Sequence, residues 1–325
     1  MATAAAPATV RGVGAAPLAG FAAAMTLALF AALRAPAGTA VLGLATFGIL
    51  HNVLELRYVA GRFGNVLAGP FLKLLLALIT GIVLCRLLPP STGSRAAEIL
   101  LAYGLLAVAC GHALRRRPAL LAAAAVLLPS AAATSLAFPG YHFVVLAHLH
   151  NLVPLLFLGE WSRRLARGRA AFLAAQWCWV LAVPVLLLSG ALDRWLAAGT
   201  ATTGRLAAAY TPPAWLDTSA GLRFVTVFAF LQTMHYVVWV WFLPRYAPDA
   251  TAAFERRAPV LRGPRAWALG IAAGAALAVL FATDYAQGKA LYAALASYHA
   301  YLEFPVLLLL VLGLDPAERN SSASR

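Results

Sequence analysis

Leu291-Tyr-Ala-Ala-Leu-Ala-Ser-Tyr-His-Ala-Tyr-Leu-Glu-Phe-Pro305 continues as Val306-Leu-Leu-Leu-Leu-Val-Leu-Gly-Leu314, an apolar run over 290–314. At 1.5 Å per residue such a run is long enough to cross a bilayer core of about 30 Å as a helix. Within it His299 and Glu303 lie four residues apart, so they project from one helix face about a turn from each other. A carboxylate deep in an apolar span costs about 2.5–3.5 kcal/mol even on the lenient insertion scale. The arrangement occurs twice: Gly48-Ile-Leu-His-Asn-Val-Leu-Glu55 gives His51 and Glu55 the same spacing. Of eleven acidic residues, only Glu55 and Glu303 fall well inside predicted spans, and each follows a histidine by four.

Working outward, similar runs of about 17–24 residues occur at 17–35, 38–60, 67–88, 96–114, 118–138, 141–161, 170–191, 222–244, 265–285 and 290–314. The chain has 325 residues, 62% of them hydrophobic and 11% charged, with a mean hydropathy of +0.81. This composition excludes an ordinary soluble domain and predicts an all-α polytopic transmembrane bundle of about ten spans. The expected organisation is a single integral-membrane domain over 1–325. It has an N-terminal tail at 1–16, a non-cytoplasmic interfacial loop at 192–221 and a cytoplasmic tail at 315–325. That loop carries Trp195, Tyr210 and Trp215, residue types that favour the headgroup region.

The formal charge of +14 sits in short gaps between apolar runs, so it reports topology and contact with membrane lipids, and no nucleic acid partner is expected. In the ten-span arrangement, seventeen arginines fall in the N-terminus, the even-to-odd gaps and the C-terminal tail. Seven basic residues fall on the opposite side, and Lys73 lies inside the third span. The asymmetry predicts both termini in the cytoplasm. Only Lys73 and Lys289 are lysine among 25 basic residues, a bias that suits a GC-rich bacterium and hence the inner membrane. Cys85, Cys110 and Cys178 lie in apolar spans without paired spacing, so no disulfide framework is implied.

All seven histidines fall on even-numbered spans, which run in one direction. His148, His235 and His299 lie about 15–24 Å from the cytoplasmic edge. His51 joins that depth range if its helix continues through Arg57 to Arg62. His148 and His150 point to different faces; His148 shares its face with Tyr141, Asn151 and Leu155, which favours it as the inward ligand. On the eighth span Gln232, His235, Tyr236 and Trp239 form one stripe, whereas His112 and His142 read as interfacial. Imidazole nitrogen with carboxylate oxygen is the ligand set of non-haem iron, manganese and zinc sites. Metal ligands are therefore expected among His51, Glu55, His148, His150, His235, His299 and Glu303. Of these, His51, His148, His235 and His299 are expected to converge and act catalytically. A cation would also balance Glu55 and Glu303, which are otherwise expensive in lipid.

His51-Asn-Val-Leu-Glu55 and Tyr298-His299-Ala-Tyr-Leu-Glu303-Phe304 resemble motifs of the integral-membrane β-carotene dioxygenases, the Brp/Blh family. Those proteins carry an early His-Gly-Ala-Leu-Asp and, in the last helix, a His shortly before an Asp; glutamate replaces aspartate here. Their clustered His-Ser-x-x-His has no counterpart around His235. The resemblance implies an iron-dependent enzyme that cleaves a carotenoid, or a similar lipid-soluble small molecule, with dioxygen. Zinc, copper or haem as the cofactor, and a proton- or metal-coupled transporter in place of an enzyme, are alternatives the residues leave open.

Overall fold

The structure, a computed structural model, describes residues 14–312 apart from 90 and 200. Residues 1–13 of the expected N-terminal tail, and all of the expected tail at 315–325, lie outside the described residues. Twelve helices organise the chain: α1 (Ala15–Arg34), α2 (Pro36–Phe63), α3 (Gly69–Leu87), α4 (Thr92–Leu114), α5 (Pro118–Ala137), α6 (Pro139–Ser162), α7 (Arg169–Leu188), α8 (Ala201–Tyr210), α9 (Ser219–Tyr246), α10 (Pro248–Arg257), α11 (Pro264–Thr283) and α12 (Tyr285–Val311). No strand occurs among the described residues. Ten of the helices, all but α8 and α10, are long and apolar enough to cross a membrane, and they coincide with the ten apolar runs. The chain is a multi-pass membrane protein. The 192–221 segment is not a bare loop, because it contains α8.

The helix ends follow from local chemistry. Ser91 opens α4 with a capping box: its hydroxyl accepts from the Ser94 amide at 3.0 Å, and the Ser94 hydroxyl accepts from the Ser91 amide at 3.0 Å. Asp284 caps α12, accepting from the Gln287 amide at 3.0 Å. Prolines shape three of the interiors. In α6 the helix breaks at Val153, before Pro154, and the Val153 amide divides itself between the carbonyls of Leu149 and His150. In α7 and α9 a π-turn, Cys178–Ala182 and Val237–Phe242, ends just before a residue followed by proline, Val183-Pro184 and Leu243-Pro244. Proline lacks the amide for the usual bond, and its ring presses on the carbonyl four residues back; widening the preceding turn absorbs both effects.

The described chain divides into two compact units. Unit 1 contains α2 from Gly48 onward, α3, α4, α5, α10, α11 and α12. Unit 2 contains α1, the start of α2, α6, α7, α8 and α9. Both units are built chiefly from the same kind of apolar span.

In unit 1, α2 is held by close backbone approaches. A side chain at Gly48 would meet the ring of Tyr292 on α12, and one at Gly270 of α11 would meet Leu50. These contacts bring α11 and α12 against the stretch of α2 that carries His51 and Glu55. The far end of α2 is tied to α10. Arg57 pairs with Glu255, whose carboxylate also accepts from the Gly263 amide at 2.8 Å. Arg257 donates to the Ala60 carbonyl and, at 2.6 Å, to Asn65 Oδ1.

In unit 2, an aromatic core forms around Trp161, Phe172 and Phe242. Ring centroids there lie 4.8–5.6 Å apart, within the range of favourable edge-to-face and offset pairs. The Trp161 indole, buried in that core, donates to the Tyr246 carbonyl at 2.8 Å. α8 docks onto α9 through Tyr210, whose ring stacks on Phe228.

Candidate metal centre

α2 and α12 each carry a histidine and a glutamate one turn apart, and in unit 1 the two histidines meet each other and the two glutamates approach each other. His51 and His299 approach with Nε2 to Nε2 at 3.2 Å, their rings nearly perpendicular at 88°. Glu55 and Glu303 approach each other, with a carboxyl oxygen of each within 4.8 Å of the other. Each of the four residues is 1% exposed. The continuation of α2 through Arg57 to Phe63, on which the depth of His51 depends, is present.

The donors fit a metal ion. Two nitrogens bound to one ion at about 2.0–2.1 Å in a tetrahedral arrangement lie about 3.3 Å apart, close to the 3.2 Å found. Two buried carboxyls this close to each other need a proton or a cation to offset their charge in an apolar interior. Paired imidazole nitrogens and paired carboxylates are donor types that suit iron, manganese or zinc. A haem does not fit between this histidine pair. Axial nitrogens on opposite faces of a haem iron lie about 4 Å apart if each bond is about 2 Å, and these two already touch.

The remaining expected ligands belong to unit 2, so the expected four-histidine set divides between the units: His51 and His299 in unit 1, His148 and His235 in unit 2. Within unit 2 it is His150, and not His148, that meets His235. Their ring centroids lie 4.6 Å apart, and a nitrogen of each lies within 4.8 Å of the other. His235 is fully buried, with the Trp239 ring 6.3 Å away. His148 turns elsewhere: its Nε2 lies 2.9 Å from the Tyr210 carbonyl, and its ring rests against Phe224 and Phe228. The sequence face that favoured His148 could not register that His235, on the neighbouring helix, meets His150 instead. His112 stacks on Phe71 with centroids 4.3 Å apart, and His142 sits against Phe143.

A second polar group in unit 1 was not foreseen. Glu98, three residues into the apolar run at 96–114, is 6% exposed inside α4. Its Oε1 accepts from Arg86 Nη2 at 2.7 Å, from Arg86 Nε at 2.9 Å and from the Tyr301 hydroxyl at 2.6 Å. Arg86 also donates to Ser297 Oγ at 3.1 Å and to the Ala293 carbonyl at 3.3 Å. This network fixes α12 to α3 and α4 on the stretch that carries His299 and Glu303. Its sequence signal was weak: an arginine and a glutamate within a turn or two of predicted span ends, where charges usually meet headgroups. Glu160, likewise read as a span-end residue, is 5% exposed in α6.

Searches against known protein families, curated proteins and solved structures give no match to this chain, so its description rests on its own ten-helix architecture and on a histidine–glutamate cluster able to hold a metal ion.

Proposed function

We propose that the protein is an intramembrane metal-dependent oxidoreductase using non-haem iron and dioxygen on an apolar lipid such as a carotenoid. The observation that carries this reading is that two membrane-length helices pair their buried histidines, His51 with His299, and their buried glutamates, Glu55 with Glu303. The resemblance of the two His-x-x-x-Glu segments to the membrane carotenoid dioxygenases supports the choice of iron and substrate. A bacterial inner membrane with both termini in the cytoplasm is the matching location.

In this reading His51 and His299 offer neutral nitrogen donors, and their 3.2 Å approach presets the spacing. Glu55 and Glu303 would supply negative charge that offsets the charge of a bound cation. The helices around them exclude water, which strengthens each electrostatic contact and protects reactive species from hydrolysis. His150 and His235 offer two further imidazoles in unit 2. Bound iron would supply the one-electron chemistry that lets dioxygen react with an alkene. Both oxygen atoms would end in the two carbonyl products of the cleaved double bond.

A proton- or metal-coupled transporter is the second reading, favoured by the buried histidine pair in hydrogen-bond contact and the close pair of buried glutamates, residue types that mark proton and ion routes through membranes. Turnover separates the two. Protein in lipid nanodiscs, loaded anaerobically with ferrous iron, should convert β-carotene to apolar aldehydes when air is admitted, with oxygen consumed in proportion. Iron-loaded protein that leaves a panel of carotenoids intact, while proteoliposomes show metal or proton flux, contradicts the enzyme reading.

A further inference from the structure

In unit 1, an apolar cavity of about 330 Å³ lies between α4 and α5, lined by Tyr103, Cys110, Leu121, Ala124 and Leu128, among others. Ala132 is the one buried residue of α5, so this helix presents nearly all of its surface outward from the unit. The cavity runs along the hairpin toward the turn that joins the two helices. There Arg115, Arg116 and Arg117 are all exposed in consecutive positions. Cys110 precedes Arg115 by five residues and Leu121 follows Arg117 by four, so the arginines lie within about 8 Å of the cavity end at helical rise. Arg117 donates one bond, to the Leu312 carbonyl at 3.2 Å, which steadies the turn against α12.

We propose that this hairpin is a binding site for one anionic phospholipid, its phosphate held by Arg115–Arg117 and one acyl chain lying in the α4–α5 cavity. Two independent features meet here. The cavity walls are hydrocarbon at membrane depth, where neither water nor a polar ligand is stable. The three positive charges sit where the helices end, at the depth of lipid headgroups, and a guanidinium pairs with phosphate through two parallel donors. A zwitterionic lipid fits the cavity equally well but gains less from the arginines, so the site selects for net negative charge. A free phosphate gains from the arginines but not from the cavity.

The test is co-purification in mild detergent followed by native mass spectrometry, with added phosphatidylglycerol, phosphatidylcholine or inorganic phosphate as probes. Wild type should retain one phosphatidylglycerol in preference to phosphatidylcholine, and no inorganic phosphate. Each arginine changed to alanine should lower the preference about fivefold. Ala124→Phe, which fills the cavity, should abolish retention of either lipid, whereas Ala123→Phe on the exposed side of α5 should leave it unchanged. Equal retention of both lipids by wild type, unaltered preference in the triple arginine variant, or identical behaviour of the two phenylalanine variants overturns the proposal. Retention of inorganic phosphate alone would mark an arginine anion site without a lipid chain and equally overturns it. Circular dichroism of each variant guards against misfolding as the cause of a loss.

Discussion

Arg86 and Glu98 are the residues at which a single substitution should cost the most outside the candidate centre. Changing Arg86 to Met leaves the Glu98 carboxylate buried with only the Tyr301 hydroxyl, and breaking a buried pair from one side costs about 3–5 kcal/mol. The Arg86 side chain is 24% exposed, so the lower end, about 3 kcal/mol, is expected. The double variant Arg86→Met with Glu98→Leu should recover much of the loss, because no charge is then stranded. Thermal unfolding in detergent checks this; a double variant as unstable as the sum of the singles argues against a paired network. At this scale the sequence was legible where chemistry was conspicuous. His51, Glu55, His299 and Glu303 stood out because a carboxylate deep in an apolar run demands an explanation, and their spacing gave each pair one helix face. Glu98 did not stand out because six helical residues precede it, and charge near a helix start is ordinary. The choice between His148 and His150 depended on a neighbouring helix, which spacing along one chain does not encode.

At the level of elements, α10 is the segment whose docking is easiest to probe. A methyl group at Gly61 would lie 2.0 Å from the Ala250 carbonyl oxygen, a backbone atom that can move only with the whole helix. Gly61→Ala should therefore release α10 from the end of α2, with faster trypsin cleavage at Arg256 and Arg257; unchanged cleavage would show that the contact is not what holds it. The same junction has a pH signature. The Gly263 amide, with Arg57 beside it, holds the Glu255 carboxyl below its ordinary value of 4.5. A depressed carboxyl stabilises the docked form above its unfolded pKa, and that contribution is lost as pH falls through the folded value. Protection of α10 from hydrogen exchange should thus be level from pH 7 to about 5 and decline only below the ordinary carboxylate range. Glu255→Gln should remove the decline; a wild-type decline near pH 6 would point to another group. The ten spans were readable from hydropathy, whereas α8 was not, being too short and too mixed in composition. The π-turns left a trace in the sequence, an X-Pro step inside each of two apolar runs, yet proline alone does not say whether a helix will break, as at Val153, or widen.

For the whole molecule, ten helices among the described residues are long and apolar enough to cross a membrane, and the arginine asymmetry predicts that both termini face the cytoplasm. Reporter fusions after residue 205 should read periplasmic and after residue 255 cytoplasmic. The reverse at both positions would invert the protein, and the same side at both would remove a crossing. The division into two units is not legible in the apolar spans, because a helix in lipid is apolar whichever neighbours it packs against, and the chain passes from one unit to the other within the uninterrupted helix α2. What the sequence could convey at this scale was the number of crossings and the pairing of charges with histidines, not the grouping of helices.

The most direct test of the central claim is the metal-to-protein ratio after anaerobic reconstitution with ferrous iron, measured for wild type and for Glu303→Gln. The substitution keeps shape and hydrogen bonding but removes the anionic donor. Wild type should retain iron through gel filtration, while Glu303→Gln should lose most of it with helix content and expression intact, Glu55→Gln behaving alike and the double variant little worse. If the pairs serve only to pack helices, the amide is cheaper to bury than the carboxylate and the variants should be as stable as wild type or more so. Wild type that binds no iron, or Glu303→Gln and Glu55→Gln that bind it fully, would contradict the account.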